Sequence, residues 1–214
     1  LVQKGYQFVS NSDSEVLIKA FHHWREKCVN HFVGMFAFAI YEKDSDVMWL
    51  FRDRLGVKPL YYSALSDGVA FASELKALQL LDRQHAIDPS AIHEYFRFGF
   101  IGSDRSVFER IRKVKPGTFV KITGTSLSEH RYWEIPVDID ASKSEEYWIE
   151  ELEAVMTSAF AYRMVSDVPV GIFLSGGLDS SLLTAILKKS HGNISTYTIG
   201  FEEQDFDEAR YARA

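Results

Sequence analysis

The sequence predicts two domains of different class, an antiparallel α+β half followed by the opening of a parallel α/β half. Three observations carry this. Residues 32–72 hold two hairpin signatures, apolar runs flanking short polar turns. From Gln84 to Lys143 the character changes to short elements punctuated by Pro and Gly. Beyond a long helix, Ser175-Gly176-Gly177-Leu178-Asp179-Ser180-Ser181 joins an apolar strand to a helix and a second strand, the order that accompanies a parallel sheet.

Taken in order, Ser14 to Lys27 reads as a helix. Val16, Leu17, Ala20, Phe21 and Trp24 recur at 3–4 spacing, and Ser12 or Asp13 stands at the N-cap position. Phe32 to Tyr41 follows as a strand apolar on both faces, turns at residues 42–46 and returns over Val47–Arg52. Leu60–Tyr62 and Val69–Ala72 form a second hairpin around Ser66-Asp67-Gly68, and Glu74 to Leu81 is a short helix. Sheet elements this apolar need cover, so antiparallel sheets between helix layers are expected.

Asp88-Pro89 starts a helix reaching about Phe96, Lys115-Pro116-Gly117 turns, and Thr118 to Ile122 is a strand with an extended exit at Trp133–Pro136. This stretch reads as a connector that packs. Ser144 to Met164 is a long amphipathic helix with Trp148, Leu152, Val155, Met156 and Phe160 on one face. A strand over Val168–Leu174, a helix over Ser180–Lys189 and a strand over Ser195–Ile199 close a βαβ unit, right-handed by the general rule.

The chain has 214 residues, 46% of them hydrophobic, and a net charge of −6. That is enough for one or two cored domains, and the mild acidity excludes nucleic acid as the main partner. The longest apolar run, Phe32 to Tyr41, is about half a membrane span, so no membrane partner is expected. A single cysteine, Cys28, excludes an internal disulfide and fits a reducing, cytoplasmic setting, which empties the Asn193-Ile194-Ser195 sequon of meaning. Leu1 is not an initiator Met and the chain stops inside an apparent helix, so it reads as an internal fragment.

The strand–loop–helix at Ser175–Ser181 has the makings of a polyphosphate cradle. Adjacent glycines let backbone approach an anion, and helix-start amides carry roughly +0.5 e toward it. Ser175, Ser180 and Ser181 add hydroxyls, and Asp179 is placed to hold the Mg²⁺ that travels with a nucleotide. No Lys follows the glycines, as a Walker A loop requires, and no G-x-G-x-x-G is present. Phe173 occupies the position where a nucleophile elbow needs Gly. Plain helix capping is the bland alternative. His22 and His23 are adjacent on a helix and point about 100° apart, a poor metal geometry, and no Cys/His cluster exists.

The loop resembles the S-G-G-x-D-S signature of the ATP pyrophosphatase (PP-loop) families. Two further stretches agree with it: Ser12-Asp13-Ser14-Glu15-Val16 ahead of a helix, and Gly34–Ala39 with Arg52–Tyr62. Together with Ser166–Gly171 and Tyr197–Phe201, they resemble glutamine-hydrolysing asparagine synthetase of the long bacterial form, over nearly the whole chain. The resemblance implies an N-terminal-nucleophile (Ntn) glutaminase over residues 1–83, a connector over 84–143 and the start of a PP-loop synthetase over 144–214. It implies glutamine, aspartate and ATP with Mg²⁺ as substrates and cofactor, a β-aspartyl-AMP intermediate, and admits a homodimer.

Carried over, Asp13 matches the aspartate binding the α-amino group of glutamine, and Ser175, Gly176, Gly177, Leu178, Asp179, Ser180 and Ser181 match the pyrophosphate loop, with Asp179 toward the metal. Phe173 and Ile199 match positions beside adenine, where plain core residues are an equal alternative. The resemblance puts the nucleophile on an N-terminal Cys, and Leu1 stands first here. No catalytic residue is therefore expected in these residues, nor activity from them alone. Cys28 reads as a buried structural thiol. Arg52–Pro59 reads as an ordered turn at a domain contact in preference to an active-site loop. An amidotransferase or cyclase acting on another carboxylate, and a non-catalytic nucleotide- or glutamine-binding remnant, are the competing readings.

Overall fold

A computed structural model describes residues 1–81, 86–102, 104–203 and 207–213. It divides into two units, Leu1–Pro136 and Val137–Ala214. The division expected at 83/84 lies outside the described residues. Within the stretch expected as a connector that packs, three strands join the first unit's sheets.

The first unit opens with α1 (Asp13–Trp24), capped by the Ser12 hydroxyl, which accepts from the Ser14 amide at 3.2 Å. The helix is shorter than the expected Ser14–Lys27. Arg25 takes φ +54° and the chain tightens into a 3₁₀ segment, Arg25–His31. The strands β1 (Ala37–Glu42) and β2 (Val47–Arg52) pair antiparallel with Glu42 opposite Val47. The strand expected from Phe32 begins only at Ala37, because Gly34 adopts φ +151° and the Phe36 amide and carbonyl both bond to Asp53.

β3 (Tyr61–Leu65), β4 (Gly68–Ala72) and α2 (Leu75–Leu81) follow as anticipated. Then come α3 (Pro89–Phe98), β5 (Ile111–Lys113), β6 (Thr118–Thr123) and β7 (Ser126–Arg131). Strand order is β1-β2-β6-β7 in one sheet and β4-β3-β5 in the other. β5 and β7 were not legible in the sequence: the first is three residues long, and the second is exposed along its whole length.

β2 is the centre of this unit, and its period-2 alternation divides the core. Val47, Trp49 and Phe51 face Ala20, Phe21, Cys28 and Val29 of the helical layer, with Phe119 of β6 beside them. Leu50 points the other way, to Leu60, Val114, Val120 and Ile122. α2 packs against β3 and β4. The result is two antiparallel sheets with helices on the outside, as the composition of the strands required.

One knot ties these layers at the end of β2. The Arg52 guanidinium donates to the carbonyls of Lys58 (2.9 Å), Gly56 (2.7 Å) and Val114 (2.7 Å). The neighbouring Asp53 carboxylate, 2% exposed, accepts from the amides of Val57 (3.0 Å), Lys58 (2.9 Å) and Phe36 (3.3 Å). Its carbonyl takes the Gly56 and Gly117 amides, and the Tyr132 hydroxyl donates to the Arg52 carbonyl.

The second unit holds α4 (Glu145–Arg163), β8 (Gly171–Phe173), α5 (Leu178–His191), β9 (Ser195–Tyr197) and α6 (Ala209–Ala212). β8 and β9 pair parallel, Ile172 opposite Thr196, with α5 as the crossover. Both strands are shorter than expected, and α5 starts at Leu178, two residues before Ser180. The amphipathic face expected on α4 packs in part against α5: Met156 and Phe160 are half-buried, while Trp148, Leu152 and Val155 are 45%, 58% and 56% exposed among the described residues. Two short strands give a helix that long too little apolar surface to cover it.

The knot makes a stability prediction. Asp53→Ala strands three amides in the interior and should lower unfolding free energy by about 2–4 kcal/mol. Urea denaturation measures this, and a loss below about 1 kcal/mol would show that the knot is not what holds the turn.

Candidate functional site

Each unit carries its own candidate site. In the first, Asp13 is the opening residue of α1, and because Ser12 supplies the cap, the Asp13 carboxylate is not spent on the helix. It lines a cleft of about 260 Å³ together with Leu17, Met35, Phe38, Lys58 and Ser73. Among the described residues neither the Asp13 carboxylate nor the Lys58 ammonium has a hydrogen-bond or ion-pair partner. An acceptor-only carboxylate at the mouth of an apolar cleft suits an ammonium group. Lys58 reaches the cleft through the Arg52–Pro59 turn. The backbone of that turn is ordered, as the sequence suggested, and its Lys58 side chain lines the cleft, which the sequence reading did not anticipate.

The segment before Asp13 is held by Glu15. Its carboxylate accepts from the Val9 amide (3.0 Å), the Ser10 amide (2.8 Å) and the Ser10 hydroxyl (2.6 Å), and pairs with Lys19. Lys19 and these donors hold the Glu15 acid well below its ordinary 4.5, at about 2. Cys28 is fully buried and burial pushes its thiol up to about 11, so it is the inert core group the sequence indicated.

In the second unit the Ser175–Ser181 loop is a self-bonded turn. The Ser175 and Ser180 hydroxyls lie 3.0 Å apart. The Ser175 amide donates to Ser180 Oγ at 3.3 Å, the Gly177 amide to Ser175 Oγ at 3.3 Å, and Ser180 Oγ to the Gly177 carbonyl at 3.2 Å. The first intrahelical bond runs from the Ser181 amide to the Gly177 carbonyl. Gly177 is the N-cap of α5 and no side chain caps it, so the Leu178, Asp179 and Ser180 amides carry no acceptor. Simple capping by Ser175 or Asp179 is therefore not what the loop does.

Gly176 has φ +78°, and a Cβ there would fall 2.4 Å from Tyr211 Cβ and 2.7 Å from the Ala212 nitrogen. Only glycine fits between this turn and α6. Asp179 is exposed on the first turn of α5 and has no partner among the described residues. Phe173 and Ile199 are 77% and 64% exposed within the described residues. Leu178, 83% exposed, presents its backbone to the turn. No group of three His, Cys, Asp or Glu that could hold a metal exists among the described residues, and no helix among them is long and apolar enough to cross a membrane.

The sequence model described as glutamine amidotransferase domain matches residues 1–133, and that described as asparagine synthase matches residues 151–214. "Asparagine synthetase [glutamine-hydrolyzing] 1" of Bacillus subtilis is 36% identical over 217 residues, covering 100% of this chain and 34% of the relative. "Asparagine synthetase [glutamine-hydrolyzing] 3" of the same organism is 34% identical, covering 94% of this chain and 34% of its own length. The chain thus spans about a third of the curated relatives it matches. A solved allosteric regulatory enzyme of purine biosynthesis aligns at TM-score 0.44 and 16% identity over 94% of this chain and 41% of its own.

Two outcomes follow from the geometry. Gly176→Ala must push α6 off the loop or distort the turn, so amide exchange across residues 175–181 and 209–213 should speed at least about tenfold, and unchanged exchange would refute the close packing. Because the Glu15 acid is depressed in the folded chain, its contribution is complete above about 4.5 and fades as pH falls toward 2. Exchange protection of the Val9 and Ser10 amides should follow that course, and Glu15→Gln should remove the dependence.

Proposed function

Because the chain belongs to the glutamine amidotransferase domain family, we propose that the protein containing it is a glutamine-hydrolysing asparagine synthetase. The observation that carries this is the presence in one chain of an unspent carboxylate at an apolar cleft and a glycine turn with free helix-start amides. Asp13 binds the α-ammonium of glutamine. The Ser175–Ser181 turn binds the pyrophosphate of ATP through the Leu178, Asp179 and Ser180 amides and the Ser181 hydroxyl, helped by the positive end of α5. Phe173, the last residue of β8, and Ile199, two residues beyond β9, flank the adenine.

The chemistry needs activation because a carboxylate is a poor electrophile. An aspartate β-carboxylate oxygen attacks the α-phosphorus of ATP, the α–β bridging bond breaks and pyrophosphate leaves. Ammonia released from glutamine attacks the acyl carbon, AMP departs with the bonding pair, and the nitrogen sheds a proton. Mg²⁺ fits the donor set, since it takes one or two carboxylates with phosphate oxygens and water, and Asp179 offers an unpaired carboxylate beside the turn. Bound there, the ion supplies charge neutralisation on the leaving pyrophosphate. A reducing, cytoplasmic setting matches the single buried thiol.

The test is aspartate-dependent pyrophosphate release by the full-length protein with Mg-ATP. Release that depends on a different carboxylate would shift the acceptor, and nucleotide binding without turnover would leave a sensing module. Asp179→Ala should abolish Mg-ATP binding by calorimetry, and undiminished affinity would remove its metal role.

A further inference from the structure

Ser12-Asp13-Ser14-Glu15 has the S-x-x-E spacing of a capping box, in which the glutamate would return to the amide of the first serine. The structure builds something larger. Glu15 reaches past Ser12 and takes the Val9 amide at 3.0 Å, the Ser10 amide at 2.8 Å and the Ser10 hydroxyl at 2.6 Å. The Ser12 amide donates instead to Ser10 Oγ at 3.3 Å, and the Ser12 hydroxyl caps the Ser14 amide at 3.2 Å. Lys19, one turn further on, pairs with Glu15, donates to the Gln7 carbonyl and lies 4.5 Å from the Phe8 ring centroid. Residues 7–10, which belong to no helix or strand, are thereby strapped to α1.

Strap and cleft lie on different sides of the helix. Asp13 and Leu17, four residues apart, line the cleft, and neither Glu15 nor Lys19 does. Two residues turn an α-helix by about 200°, so Glu15 and Lys19 point away from the space that Asp13 faces. Glu15 therefore reaches the cleft only through backbone. Asp13 stands between Ser12 and Ser14, and the relay Glu15–Ser10–Ser12–Ser14 fixes both neighbours. The amide of a first helical residue has no intrahelical partner, so this is where an unsupported helix frays. The Glu15 acid, held at about 2, leaves the carboxylate charged at neutral pH and its bonds to the strap charge-assisted.

We propose that Glu15 is a positioning residue: through Ser10 and Ser12 it sets the backbone from which the Asp13 carboxylate meets an α-ammonium group. The assignment rests on the reading of Asp13 given above. A carboxylate on a fraying turn has to be ordered by its ligand, and that ordering weakens binding. One held by the relay is ordered beforehand. The effect of Glu15 therefore falls on recognition of the amino group and not on the chemical step, which takes place at the other end of the substrate.

The experiment uses the full-length protein and reads KM and kcat for L-glutamine, together with the competitive inhibition constants of L-glutamate and of glutarate, which lacks the amino group. Glu15→Ala should raise KM about tenfold with kcat within about twofold, and weaken L-glutamate by the same factor while glutarate shifts by less than about twofold. Ser10→Ala removes the relay hydroxyl and leaves Glu15 in place; it should move the same constants in the same direction by about threefold. Glu15→Gln, whose amide oxygen still accepts from the strap, should fall between wild type and Glu15→Ala. An unchanged KM in Glu15→Ala, or an equal weakening of glutamate and glutarate, overturns the positioning role and leaves the glutamine reading standing. Absence of glutamine hydrolysis by wild type overturns both.

Discussion

Everything in the first unit depends on how the end of β2 is tied. Arg52 and Asp53 are consecutive, so they diverge to opposite sides of an extended backbone. One gathers three carbonyls and the other three amides. A buried charge is costly unless its hydrogen-bonding capacity is used, and here each group bonds three backbone partners. The groups they satisfy come from residues 36, 56–58 and 114, segments that no helix or ladder would otherwise join. The same two residues therefore fix the turn that feeds β3, the start of β1 and the approach to β6.

Much of this architecture was legible, and the reasons are local. The hairpins at residues 37–52 and 61–72 announced themselves because apolar runs flank short polar turns, and the α3 boundaries because Asp88-Pro89 is a strong start signal. What was not legible depended on distant partners. β7 carries no apolar alternation, since all six residues are exposed and only its ladder with β6 defines it. The break at Phe36 comes from Asp53, seventeen positions away in sequence. Lys58 was passed over because a charged residue in a turn is ordinarily a solvated one. Its position in a cleft is fixed by tertiary bonds that the turn's composition does not encode.

In the second unit the glycines and hydroxyls of Ser175–Ser181 were the strongest signal in the sequence, and the structure places them in a turn ahead of an α5 start that no side chain caps. The α4 face meets α5 along only part of its length, because periodicity reports only that a surface is apolar and not what covers it. The hydroxyl pair of Ser175 and Ser180 keeps the turn in shape through its own bonds. A preformed turn of this kind loses little freedom on meeting an anion.

Cys28 carries a consequence of a different kind. At neutral pH a thiol near 11 is ionised in about one molecule in ten thousand, and this one sits at zero exposure beside Phe21, Trp49 and Phe51. Alkylating reagents consequently ignore it until the helical layer lifts from the sheet. The rate at which this single sulfur becomes modifiable is a built-in clock for opening of the first unit. With one cysteine in these 214 residues, a native sample of them should show no promptly reacting thiol.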